Sequence, residues 1–226
     1  MKYLIDTANL EMITKCNDLL PIAGVTSNPS IIKKEGKIDF FAHFRKIRQI
    51  IGLEKAIHIQ ILAQDSEGII REAHKILDNV DKNVYIKVPV TPQGLKAIQL
   101  LKKENIGVTA TAIYNKTQGF LAMEAGADFI APYYNRMENL DIDAADTVAS
   151  FANMISVYGY ETQIIAASFK NMAQVNTALG CGAQLVTMAP DILLSALAVP
   201  SIKKAVDDFA DDWKKIFGDI SICDMK

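Results

Sequence analysis

What most constrains this chain is the regular alternation of short apolar runs with longer amphipathic stretches along its length. The short runs read as strands: Tyr3–Asp6, Gly24–Thr26, Ile57–Leu62, Val84–Val90, Gly107–Ala112, Phe129–Pro132, Gln163–Ser168 and Leu185–Met188. Their starts lie 21 to 34 residues apart, and each gap can hold a helix and two loops. Residues 11–20, 41–51, 67–77, 94–103, 116–125 and 143–157 fit such helices. Alternation of this kind implies parallel strands joined by right-handed crossovers. Eight units could form an open sheet or a closed barrel.

The strand faces choose between them. Ile57, Ile59 and Ile61 alternate with His58 and Gln60; Tyr85 and Lys87 oppose Ile86, Val88 and Val90; Thr109 and Thr111 share one face. A parallel sheet covered by helices on both sides should be apolar on both faces. A barrel needs an apolar outer face only, and its inner face can carry a site. Polar residues also mark seven run ends: Asp6, Asn28, Gln60, Lys87, Thr111, Tyr133 and Ser168. Barrel active sites are built at that rim. The sequence therefore predicts an α/β fold, a single (β/α)8 TIM barrel over residues 1–226 with an extra C-terminal helix and tail in 201–226. In that helix Ile202, Val206, Phe209, Trp213 and Ile216 form one stripe opposite Asp207, Asp208, Asp211 and Asp212. The stripe could close over its own barrel or dock on a neighbouring subunit.

Composition narrows the function classes. Hydrophobic residues make up 50% of the chain, which supports a large core, and the net charge of −2 disfavours a nucleic-acid or anionic-lipid partner. The three cysteines are an odd number without metal-ligand spacing, which suits a reducing compartment. Met1 to Asp6 reaches a carboxylate too soon for a signal peptide, and no apolar run approaches a membrane span. A cytoplasmic protein without membrane partners is expected.

Lys87 is the focal residue. A strand lysine usually pairs with a carboxylate or snorkels into water. Here six other polar strand ends converge on the same rim. Burial disfavours the ammonium form. At pH 7 an amine with a pKa of ~10.4 is neutral in about one molecule of 2500. Lowering the pKa by roughly 3 brings it near half neutral, a difference worth about 4 kcal/mol. A neutral amine can attack a carbonyl and form a Schiff base, an electron sink for C–C cleavage that needs no thiamine, flavin or pyridoxal cofactor.

Around it, Asp6 could cap the next helix or act as a base at a substrate hydroxyl. Gln60 and Thr111 could satisfy one another or hold the water of Schiff-base chemistry. Tyr133 could pack at a strand end or donate a proton. Arg136, three residues beyond Tyr133, and Ser168 and Lys170, after strand seven, are candidates for phosphate: arginine suits bidentate contacts with phosphate oxygens, and the loops after strands seven and eight commonly bind phosphate in barrels. Taken singly, each is more often a surface group. Histidine spacing supports no metal site: His43 and His74 fall on helical stretches, and His58 has no second histidine beside it. Neither a P-loop nor a dinucleotide fingerprint occurs.

The segments Gly24-Val25-Thr26-Ser27-Asn28-Pro29-Ser30-Ile31-Ile32 and Ile86-Lys87-Val88-Pro89-Val90-Thr91 resemble two signatures of the transaldolase family. Leu4-Ile5-Asp6-Thr7-Ala8, Ala131-Pro132-Tyr133 with Arg136, and Ala166-Ala167-Ser168-Phe169-Lys170 extend the resemblance over nearly the whole chain. It implies a class I aldolase barrel with Lys87 as the Schiff-base residue and Asp6 assisting. It also implies Asn28 orienting the sugar, and Arg136 and Ser168 holding phosphate. Lys170 stands where larger transaldolases usually carry arginine. The short length is similar to the small-subunit branch, whose members form pentamers or decamers with the last helix crossing onto a neighbour. Transaldolases typically have Glu and Phe at the positions of Gln60 and Tyr133. The Gln and Tyr found here are similar to fructose-6-phosphate aldolases of that branch. The resemblance thus implies cleavage of fructose 6-phosphate to dihydroxyacetone and glyceraldehyde 3-phosphate. The alternatives are dihydroxyacetone transfer between sugar phosphates in the pentose phosphate pathway and, more remotely, a non-enzymatic sugar-phosphate-binding barrel.

Overall fold

In the computed structural model, which describes residues 1–225, eight parallel strands close into a barrel in chain order. They are β1 (Lys2–Asp6), β2 (Ile22–Thr26), β3 (Ala56–Gln60), β4 (Val84–Pro89), β5 (Val108–Ile113), β6 (Phe129–Pro132), β7 (Gln163–Ala166) and β8 (Leu185–Met188). β1 pairs with β8 as well as with β2, which closes the sheet. The barrel expected from the strand faces is the fold observed, and a helix follows in the C-terminal segment.

The loops at the C-terminal ends of the strands also start the helices. Asn9, Asp39, Asp65, Thr91, Asp143 and Asn171 each accept a hydrogen bond from a backbone N–H in the first helical turn. Asn115 and Gln118 form a reciprocal capping box. A cap of this kind is worth about 1 kcal/mol. On the outside of the sheet Ile57, Ile59, Ile86 and Val88 are buried, and so are Ile69, Ala73, Ile98 and Leu101 of helices Ser66–Asn79 and Pro92–Lys103.

Inside the barrel the character changes along its length. Leu4, Ile165 and Leu185 form an apolar cluster against which Phe129 packs. The Tyr85 ring meets Phe129 edge-on at 4.9 Å and stacks on His58 at 4.9 Å. Two residues further along the same strands stand Lys87 and Gln60.

Two strands end two residues earlier than the sequence implies. β3 stops at Gln60 because the backbone N–H groups of Leu62 and Ala63 donate to the carboxylate of Glu72, at 2.6 and 3.0 Å. β7 stops at Ala166, ahead of Ser168, whose φ of +64° is left-handed.

The described residues divide into two compact units, Met1–Pro190 and a second beginning at Asp191. The second is built on helix Pro200–Phe217, whose Ile202, Val206, Phe209 and Ile216 are exposed. Trp213 stacks near Phe217 at 4.4 Å and donates its indole N–H to the Ile220 carbonyl at 2.8 Å. Among the described residues no helix is long and apolar enough to cross a membrane.

Candidate active site

Lys87 lies near the end of β4, opposite Gln60 of β3 and Thr109 of β5 in the sheet register. It is only 4% exposed, so it does not snorkel. Its Nζ donates to the Ser27 carbonyl at 3.0 Å instead of pairing with a carboxylate. Burial lowers its pKa, and the charge of Asp6 opposes that in part. A lone carbonyl stabilises an ammonium less than a bonded carboxylate would, so this contact opposes the downward shift less than an ion pair would. Gly94 helps set the end of β4: a Cβ there would lie 2.0 Å from the Pro89 carbonyl oxygen, so only glycine lets the helix start this close.

Asp6 is free of the capping duty, because Asn9 caps the first helix through Met12 N–H. Its carboxylate instead accepts from Thr26 Oγ1 at 2.6 Å, and Thr187 Oγ1 lies 2.7 Å from the same hydroxyl. Thr26 has one proton and gives it to Asp6, so Thr187 donates to Thr26. The carboxylate is held through both strands that flank β1, and it keeps its second oxygen for a ligand.

Tyr133 follows β6 and is buried. Thr111 Oγ1 donates to its hydroxyl at 3.1 Å, which leaves the phenol's own proton to be donated elsewhere. Burial raises the phenol pKa, while the Thr111 bond and the Arg136 charge pull it back. Thr111 precedes Ala112, whose φ is +57°, at an irregularity in the β5–β6 register. Such bulges re-aim side chains beside active sites. Gln60 and Thr111 do not satisfy each other, since Thr111 is bonded to Tyr133 and Gln60 Oε1 is buried without a partner. Asn28 caps the short helix Pro29–Ile32 through its Oδ1, so its amide N–H₂ is the group it could offer a sugar hydroxyl.

Arg136 sits on helix Tyr134–Glu138 with its guanidinium 4.6 Å above the Tyr133 ring, and it donates to the Tyr114 hydroxyl at 3.0 Å. Tyr134 N–H donates to the Ala167 carbonyl and Asn135 N–H to that of Ser168, at 2.8 and 3.2 Å. These bonds bring the Ser168 loop beside the helix that carries Arg136. Lys170 is exposed, and its backbone N–H donates to Gln174 Oε1 at 2.8 Å.

Thr26, Thr187, Tyr114 and the Ser27 carbonyl escaped the sequence reading. Thr26 and Thr187 were within its reach, because they share the inward parity of Asp6 and Lys87. Tyr114 and the carbonyl were not, because loop geometry places them. His58 also proves to be more than an isolated histidine. It is fully buried, Nδ1 lies 2.8 Å from Thr109 Oγ1, and burial with the nearby Lys87 charge lowers its pKa to about 3. Among the described residues no three His, Cys, Asp or Glu side chains cluster as metal ligands would.

Residues 3–220 match the family described as Transaldolase/Fructose-6-phosphate aldolase. The chain belongs to that family. It is similar to a probable fructose-6-phosphate aldolase of Streptococcus pneumoniae, at 54% identity over 94% of this chain and 96% of the relative. It is also similar to probable transaldolases of Exiguobacterium sibiricum and Thermoanaerobacter, at 37% and 36% identity. Each alignment covers 95% of this chain, and 99% and 98% of the respective relative.

Proposed function

We propose that this barrel is a Schiff-base aldolase that cleaves and forms fructose 6-phosphate. The observation that carries the reading is a buried lysine bonded only to a carbonyl, on a rim where Tyr133 keeps a proton to give. The neutral Lys87 amine adds to the ketose carbonyl, and the carbinolamine takes up a proton from solvent and loses water to give an iminium ion. Asp6 takes the proton of the C4 hydroxyl, and the C3–C4 electron pair moves toward the iminium. Glyceraldehyde 3-phosphate departs and an enamine remains on Lys87. Tyr133 protonates that enamine at C3. Water positioned by Gln60 then adds to the restored iminium, and dihydroxyacetone leaves. The proton taken by Asp6 replaces the one Tyr133 gave. Arg136 and Ser168, with Asn28 on the sugar, hold the substrate, and Lys170 supplies positive charge at the edge of the phosphate position.

Relatives named as transaldolases support a second reading, transfer of the dihydroxyacetone unit to another sugar phosphate as in the pentose phosphate pathway. Incubation with fructose 6-phosphate alone separates the two. Free dihydroxyacetone is expected. If none appears until erythrose 4-phosphate is added, and sedoheptulose 7-phosphate then forms, the enzyme is a transaldolase.

The same reading includes a cytoplasmic homo-oligomer, a pentamer or decamer. Its support is the exposed Ile202–Ile216 stripe and an apolar cleft of about 420 Å³ lined by Ile32, Phe40, Phe41, Ile61, Leu62 and Ile76. Lys33 and Lys75 at that cleft suit the acidic face of the helix from a second copy. Burying Phe209 would contribute on the order of 2 kcal/mol. Phe209→Glu should reduce the mass seen by light scattering. A full-length protein that runs as a 25 kDa monomer at micromolar concentration would remove this part of the reading.

A further inference from the structure

Arg136 is arranged as something more than a phosphate clamp. Its guanidinium lies 4.6 Å above the ring of the same tyrosine that is placed to protonate the enamine. Tyr114 holds it there through a 3.0 Å bond, and the Tyr114 ring meets Tyr133 edge-on at 5.6 Å. We propose that Arg136 couples phosphate occupancy to the acidity of Tyr133, so that departure of the phosphorylated product switches the proton donor on. The inference rests on the Schiff-base reading above.

The sign follows from charge. A cation beside a phenol favours the phenolate and makes the phenol a stronger acid. A bound phosphate dianion offsets the guanidinium charge, so the phenol becomes a weaker acid. The other groups that act on Tyr133 are Thr111, which lowers its pKa, and Asp6 and Tyr114, which raise it.

During cleavage the sugar phosphate occupies Arg136, and Tyr133 holds its proton while the C3–C4 bond breaks. Glyceraldehyde 3-phosphate then carries the phosphate away. The uncompensated guanidinium sharpens Tyr133, whose proton passes to C3 of the enamine as the C=C electron pair forms the new C–H bond. The iminium is restored on Lys87 and a phenolate remains. The proton that Asp6 took from the C4 hydroxyl returns to the phenolate, water adds to the iminium with loss of a proton to solvent, and the carbinolamine collapses to dihydroxyacetone and neutral Lys87. When an aldehyde phosphate arrives first, it occupies Arg136 again, damps the donor and preserves the enamine for C–C bond formation. Retro-aldol release and transfer thereby become two outcomes of one charge contact.

The test uses dihydroxyacetone, whose C–H hydrogens exchange with D₂O through the enamine, and inorganic phosphate as an unreactive occupant of Arg136. Exchange is followed by NMR at constant ionic strength with chloride as the control salt. Saturating phosphate should slow exchange about three- to tenfold and move the pH at which exchange levels off upward. The borohydride-trapped adduct on Lys87 should keep its yield. Arg136→Met should exchange at the slow rate and ignore phosphate. Tyr133→Phe should exchange more slowly still and also ignore it. Wild-type exchange that phosphate leaves unchanged or accelerates overturns the coupling, as does an Arg136→Met enzyme that still responds. Absence of any adduct and any exchange in the wild type would instead remove the Schiff-base reading itself.

Discussion

The same two strands bury two very different pairs of side chains. Two residues before the rim, β3 and β4 carry His58 and Tyr85; nearer the rim they carry Gln60 and Lys87. The inner pair is closed in by contact: the rings stack on each other, both meet Phe129 edge-on, and His58 is bonded to Thr109. Each pair keeps one buried polar atom without a partner, His58 Nε2 and Gln60 Oε1, but in the outer pair Lys87 holds only a carbonyl and both side chains stand at or near the ends of their strands. Burial lowers the pKa of both His58 and Lys87, yet only Lys87 lies near the C-terminal end of its strand, at the rim. A perturbed pKa marks burial, and position along the barrel decides whether it becomes reactivity.

Removing the reactive group should break this contrast most completely. Lys87→Met should lower dihydroxyacetone release by about 10⁴-fold or more and abolish the borohydride-trapped adduct, read by mass spectrometry, while the fold persists. Adduct at Lys96 or Lys170 would reassign the chemistry.

The inner pair should answer to acid instead. Folded His58 titrates at about 3, below its ordinary 6.5, so the unfolded chain binds the proton first. The stability this provides is complete above pH 6.5 and is lost as pH falls toward 3, about 5 kcal/mol in all. In the double variant His58→Phe, Thr109→Val, which replaces both hydrogen-bond partners by apolar groups, urea unfolding should lose that part of its pH dependence. Catalysis at neutral pH should change little by comparison.

Tyr133→Phe should slow net cleavage by roughly 10²–10⁴-fold while trapping on Lys87 continues, which separates proton delivery from imine formation. Near-neutral behaviour would mean that the ring only packs. Smallest is the effect of the hydroxyl that aims Asp6. Thr26→Val should lower kcat about tenfold, the value of one hydrogen bond to a charged group, with little change in KM.

Much of this was legible before any coordinates. Strand alternation placed His58, Gln60, Tyr85, Lys87, Thr109 and Thr111 on the inner face, and that parity is what the barrel shows. The rim residues were legible because strand ends in a parallel barrel converge at one mouth. The early end of β3 was not, since it depends on Glu72, ten residues away, reaching two backbone N–H groups.

Periodicity and spacing along the chain are local properties, and they determined the eight βα units, the closed sheet and the inward lysine. Which hydroxyl a given side chain meets depends on register between strands far apart in sequence. Only the tertiary structure could therefore decide that Asn9 caps the first helix and Asp6 turns to Thr26 and Thr187. The same holds for Thr111, which bonds Tyr133 and not Gln60, and for Arg136, whose charge rests on the Tyr133 ring.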